Sequence, residues 1–186
     1  MDRGFFERDS AEVAEELLGT RLVWESKGLT GRIVETEAYY GDKDVKDPAS
    51  HAFHGETDRN HVMFGPPGKT YVYICYGIHN MLNISVEEEG KPGAVLVRAL
   101  EPLEGADTMF QNRGVDSREE LCSGPGKLCQ AYGITKEQND MDVTEGDLRI
   151  EPGEAGEIAK DTRIGISQGK DLELRFYESG NPHVSR

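Results

Sequence analysis

Carboxylates and aromatics alternate along Ile33-Val-Glu-Thr-Glu-Ala-Tyr-Tyr40. In an extended chain every second residue shares a face, so Ile33, Glu35, Glu37 and Tyr39 are expected on one side and Val34, Thr36, Ala38 and Tyr40 on the other. If the first face lines a cavity, Glu37 beside Tyr39 can activate a water next to a flat, stacked substrate, which is general-base chemistry. The segment on its own also fits an exposed edge strand with solvated glutamates, the usual surroundings of a carboxylate. A second aromatic group follows at Tyr71, Tyr73 and Tyr76. Tyr71 and Tyr73 share a face, while Tyr76 falls on the other, beside Gly77 at the end of the run. Core packing explains many such clusters. An aromatic at the tip of a two-stranded ribbon is also shaped to enter a groove and unstack a base step.

Other constellations are weaker. His51, His54 and His61 follow Glu37, Asp42, Asp44 and Asp47, yet no pair has the His-Glu-x-x-His spacing, and six residues separate Cys122 from Cys129. No metal and no cofactor are expected. Gly65-Pro-Pro-Gly68-Lys69-Thr70 has two residues between its glycines where a phosphate loop needs four, and it runs into a strand. Ser123-Gly-Pro-Gly-Lys127 opens a helix with free N–H groups beside a lysine, which suits an anion and equally an ordinary glycine-rich helix entry.

These residues need elements to hold them. Asp9 or Ser10 caps a helix with Glu12 in its first turn, Val13, Leu17 and Leu18 on one face and Gly19 as its stop. Arg21 to Trp24 and Thr30 to Tyr40 read as strands around a Lys27-Gly28 turn, and Asp42 to Pro48 as a charged loop. The clearest hairpin runs Tyr71 to Tyr76, turns over Gly77 to Asn80, and returns along Met81 to Val86. A strand over Ala94 to Leu100 precedes a helix expected from Glu101-Pro102 toward Gln111, and a shorter helix follows Ser123-Gly-Pro125 and stops at Gly133. Leu148 to Ile150, Arg163 to Ile166 and Leu172 to Tyr177 read as late strands. With no repeated βαβ alternation, the expectation is one α+β domain over residues 1–186, a mixed or antiparallel sheet flanked by helices, with a protruding hairpin.

A chain of 186 residues can bury one core without disulfides, and its three cysteines suit a reducing compartment. No apolar run approaches the roughly 18 residues of a membrane span, and Met1-Asp2-Arg3 leads into no signal-type core, so a cytoplasmic protein is expected. The net charge of -14 argues against a broadly basic nucleic-acid binder. Most of the excess acid lies in residues 1–19 and 133–161, whereas Phe53 to Asn83 balances Glu56 and Asp58 against Arg59 and Lys69.

Taken in order, Gly31-Arg-Ile-Val-Glu-Thr-Glu-Ala-Tyr39, Ala49-Ser-His-Ala52, Arg59-Asn60 with Met63-Phe64, Pro67-Gly68, Tyr71-Val-Tyr-Ile-Cys-Tyr-Gly77, Leu82-Asn83, Val97-Arg-Ala-Leu-Glu-Pro102, Cys122-Ser-Gly-Pro125 with Lys127-Leu-Cys129, and Leu174-Arg-Phe-Tyr177 resemble the alkyladenine (3-methyladenine) DNA glycosylase family. The resemblance runs from about Phe5 to Ser185. It implies excision of alkylated or deaminated purines from double-stranded DNA, with the damaged nucleotide flipped out and the N-glycosidic bond hydrolysed. By that resemblance Glu37 is the carboxylate that activates water, and Arg98 lies near the water and sugar. Tyr39, His51 and Tyr73 sandwich the base, Asn83 screens out normal guanine, and the hairpin inserts Tyr76 into the stack. Arg59, Lys69, Lys127 and Arg163 are the candidates for DNA-backbone contacts, and a monomer is expected. No lysine falls in the Gly31–Tyr39 or Tyr71–Gly77 segments that carry Glu37 and Tyr73, so water is the expected nucleophile. Two other readings stay open: a metal-dependent nuclease using Glu35, Glu37 and the Asp42 to Asp47 loop, and a non-catalytic reader of damaged bases.

Overall fold

The computed structural model describes residues 1–41 and 45–185. Asp42 and Asp44 of the charged loop lie outside them. Eight strands form one sheet, β1 (Arg21–Trp24), β2 (Leu29–Tyr40), β3 (Thr70–Cys75), β4 (His79–Val86), β5 (Gly93–Glu104), β6 (Leu148–Glu151), β7 (Ile158–Asp161) and β8 (Arg175–Glu178). The spatial order is β3-β4-β5-β2-β1-β6, with β8 joining β2 beyond β1 and β7 flanking β8. Every pairing is antiparallel. The α-helices are α1 (Arg3–Phe6), α2 (Ser10–Glu16), α3 (Ala106–Arg113) and α4 (Pro125–Tyr132). None is long and apolar enough to cross a membrane.

The sheet has a helical face and an open face. Val13 and Ala14 of α2, its C-cap Leu17, and Leu128, Cys129 and Tyr132 of α4 share one core with Val72, Leu82, Ile84, Val95 and Val97. The neighbours Tyr71 and Ala94 belong to a second, smaller cluster with Ala52, Val62 and Met63. That alternation is the strand period of two, and it leaves the second face for the site. The Asp9 carboxylate caps α2 by accepting from the Ala11 and Glu12 amides, and Thr36 Oγ1 donates to Ala14 O at 2.6 Å, tying α2 to β2.

Four expectations change. Ile33 does not share a face with Glu35. The β2–β5 register shifts around Val34, and Ile33 joins the helical-side core. A compensating shift at Arg98 restores the pairing, so each strand carries one extra residue where the carboxylates sit. Glu101-Pro102 opens no helix. β5 continues to Glu104 and α3 begins at Ala106, because β4 leaves β5 at Leu96 and the missing N–H of Pro102 interrupts no ladder on that side. Arg163 to Ile166 is a loop rather than a strand, whereas Leu148 to Ile150 falls in β6, and after it come β7 and a β8 that starts only at Arg175. The hairpin turn is shorter than expected: His79 and Asn80 already pair with Cys75 and Ile74. Ile78 N–H donates to Cys75 O, and Tyr76 (φ 49°) and Gly77 (φ 74°) both take the left-handed backbone such a turn demands.

Candidate active site

Alternate residues of four adjacent strands floor a cavity of about 550 Å³: Tyr39 on β2, Ala94, Leu96 and Arg98 on β5, Met81 and Asn83 on β4, Tyr71 and Tyr73 on β3. The register aligns a row across the sheet, with Glu37 opposite Leu96, Leu96 opposite Asn83, and Asn83 opposite Tyr71. His51, Arg59 and residues 164–167 close the sides.

Glu37 lies behind the wall made by Tyr39, Arg98 and Ile164 and is fully buried. Its Oε1 accepts from the Ile164 amide at 2.7 Å and pairs with Arg98 Nη1 at 3.1 Å, and its Oε2 accepts from Tyr39 Oη at 2.8 Å. Oε2 therefore has one donor and capacity for another. Burial, reinforced by the Glu37 charge, raises the Tyr39 phenol well above its ordinary value, so it stays a donor. Burial works against the charge of Arg98, but the Glu37 and Glu35 carboxylates outweigh it and raise Arg98 above its ordinary value. Glu35 is itself held by Arg98 Nε at 3.1 Å, Arg175 Nε at 2.6 Å and the Ser185 amide at 2.7 Å. β2 is thus an interior strand with two arginine-held carboxylates, not a solvated edge.

The aromatic wall is continuous. His51 sits edge-to-face on Tyr73 with centroids 4.5 Å apart, and its Nδ1 lies 2.8 Å from Tyr71 Oη. Burial, helped by the Arg59 charge, pushes the His51 imidazole down to about 4, so the ring is neutral at pH 7. The Arg59 guanidinium lies 5.1 Å from the Tyr73 ring centre. Asn83 is held in the floor by donating from Nδ2 to Tyr71 O at 3.1 Å. Tyr76, at the hairpin tip and 88% exposed, lines the cavity at its edge, near the exposed Ile78.

The four cationic candidates diverge. Arg59 is exposed at the cavity side, and Lys127 lies near the start of α4 with Nζ 3.3 Å from Ser123 Oγ. Lys69 faces Asp140 at 3.8 Å. Arg163 corrects the reading: it is fully buried against Asp47 rather than facing a DNA backbone, because both carboxylate oxygens bind its guanidinium. Of its described ligands the nuclease reading keeps only Glu37. Both oxygens of Asp47 and of Glu35 are taken by arginines and main-chain amides, and no metal-holding cluster occurs among the described residues. Several partners escaped the sequence reading: Ile164, which acts through its amide, the Glu35–Arg175–Ser185 cradle and the Asp47–Arg163 pair. A main-chain donor has no side-chain signature, and these pairs join residues more than a hundred positions apart.

A single antiparallel sheet in an α+β fold carries an aromatic-lined cavity beside a buried, arginine-held carboxylate, the architecture of an enzyme site. The chain belongs to the methylpurine-DNA glycosylase family, whose model matches residues 4–182. It is 48% identical over 189 residues to a protein of Methanoculleus marisnigri, covering 98% of this chain and 96% of that one. It is 46% identical over 192 residues to a protein of Carboxydothermus hydrogenoformans, covering 100% and 98%. The names of both relatives assign them, provisionally, as 3-methyladenine DNA glycosylases. The protein is accordingly a DNA glycosylase, a DNA-repair hydrolase of N-glycosyl bonds.

Proposed function

We propose that this enzyme flips an alkylated or deaminated purine (3-methyladenine, 7-methylguanine, hypoxanthine or ethenoadenine) out of duplex DNA into the aromatic cavity and hydrolyses its glycosidic bond with a water activated by Glu37. The observation that carries this reading is the Glu37 carboxylate, held by Tyr39, Arg98 and the Ile164 amide at the cavity wall. Water bound at Oε2 gives its oxygen to the sugar C1′ and its proton to Glu37, while the electrons of the breaking bond leave with the base. The Glu37 carboxylate, oriented by Arg98, faces the oxocarbenium charge that develops on the sugar.

Tyr39, Tyr73 and His51 stack on the base, and a cationic methylpurine gains about 0.5–2 kcal/mol from electron-rich faces. A neutral His51 can read the base edge through the nitrogen that does not meet Tyr71. Asn83, in the floor, rejects the exocyclic amine of normal guanine. Tyr76, exposed in a positive-φ turn, fills the space the flipped base leaves. Arg59 and Lys127 are the proposed phosphate contacts, and the working unit is a monomer. Among the described residues no lysine lines the cavity, which supports water as the nucleophile and an abasic product with the strand intact.

The test is a duplex with one hypoxanthine, and methylated DNA in parallel, incubated with the protein in EDTA. Strand breaks that appear only after alkali, with free methylpurine from the methylated DNA, support the reading. Direct nicking that requires Mg²⁺ supports the nuclease instead, and binding of both lesions without excision supports a reader.

A further inference from the structure

The proposed reaction does not use Arg163 or Asp47, yet they form a fully buried pair beside the cavity. Arg163 Nη1 and Nη2 donate to the two Asp47 oxygens at 2.7 and 2.6 Å. Nη1 also donates to Ala38 O at 3.0 Å, and the guanidinium carbon lies 4.5 Å from the centre of the Tyr39 ring. Asp47 accepts in turn from the Tyr40 amide at 3.1 Å and the Ala49 amide at 3.2 Å, two residues before His51. The residue after Arg163 is Ile164, whose amide donates to Glu37. At the far end of the loop, Gly169 (φ 61°) lies so close that an added Cβ would stand 3.1 Å from Arg163 Nη2.

One guanidinium thus meets β2, the turn leading to His51 and the loop that supplies the Glu37 donor. A buried ion pair is a poor stabiliser compared with apolar packing, and this one leaves Arg163 Nε–H buried without an acceptor among the described residues. What the fork provides is geometry: two fixed oxygens, one carbonyl and one ring face, which a lysine cannot match. We propose that Arg163, clasped to Asp47, is a positioning residue for excision: it fixes the Tyr39 ring and holds the Ile164 amide on Glu37. The inference rests on the role proposed for Glu37.

Arg163→Lys tests it, with Asp47→Asn as a second variant that keeps one oxygen for the fork and serves where the lysine variant does not fold. Single-turnover excision at saturating enzyme is compared with affinity for a duplex carrying an abasic site, which has no base to stack and engages the hairpin. Each folded variant is expected to excise at least tenfold more slowly, hold the abasic duplex within twofold of the unaltered protein, and show a non-additive loss when the two changes are combined. Rates within threefold of the unaltered protein, or excision and abasic affinity falling together with the folded fraction, overturn the clasp. Excision by the unaltered protein that persists in Glu37→Gln refutes the role of Glu37 on which the clasp depends, and is read separately.

Discussion

Tyr39→Phe isolates one hydrogen bond from the rest of the site. It deletes the hydroxyl that donates to Glu37 Oε2 at 2.8 Å and leaves the ring that lines the cavity and lies 4.5 Å from the Arg163 guanidinium. Oε1 keeps the Ile164 amide and Arg98, so the carboxylate loses one of three donors and Oε2 loses the only one given by the described residues. A hydrogen bond to a charged group contributes about 1.5–3 kcal/mol. If that energy aims the carboxylate at its water, its loss slows excision by about 10- to 150-fold. Stacking is untouched, so affinity for a lesion duplex should change less than about threefold. Single-turnover release of 7-methylguanine measures the rate, and fluorescence anisotropy measures the affinity. A rate equal to that of the unaltered protein, or a loss confined to affinity, would refute the claim that Tyr39 acts through Glu37.

Other outcomes follow from the same geometry. Arg98→Met removes the ion-pair partner of the buried Glu37 and leaves Glu35 to Arg175 and the Ser185 amide, and should destabilise the fold by about 3–5 kcal/mol in urea titration; a loss under 1 kcal/mol contradicts the ion-pair reading. Because His51 titrates at about 4, excision of a permanently cationic lesion should show no His51 ionisation step between pH 5.5 and 8. A step near pH 6.5 that His51→Gln removes contradicts this. Gly31→Ala places a Cβ 2.7 Å from Tyr132 Oη and 3.2 Å from Leu100 Cβ, and should lower stability by about 1–3 kcal/mol in thermal unfolding; an unchanged melting temperature contradicts it.

Local rules carried the fold where one segment contains its own signals. The Asp9 cap and Gly19 stop bracket α2 and its last turn, Gly133 ends α4, and β-branched and aromatic flanks around Tyr76-Gly77 give the hairpin. The same period of two placed Glu37 with Tyr39, and Tyr71 with Tyr73. It failed at Ile33 because the extra residue at Val34 flips the register, and a bulge leaves no mark in a run of good strand formers. Pro102 misled because a proline before a polar stretch resembles a helix entry, while its tolerance in β5 depends on where β4 ends. Arg163 illustrates the limit of charge reading. Nothing near it in sequence announces Asp47, which lies 116 positions away, so in sequence a buried clasp resembles a surface cation.

The central claim is that Glu37 drives hydrolysis in the aromatic cavity, and Glu37→Gln, which keeps the shape and removes the charge, meets it most directly. Methylated DNA is incubated in EDTA with each protein, and released 3-methyladenine and 7-methylguanine are followed by chromatography. Base release is expected from the unaltered protein, with a loss of at least about 100-fold in a folded Glu37→Gln that still binds lesion duplex. Equal release by both proteins would contradict it.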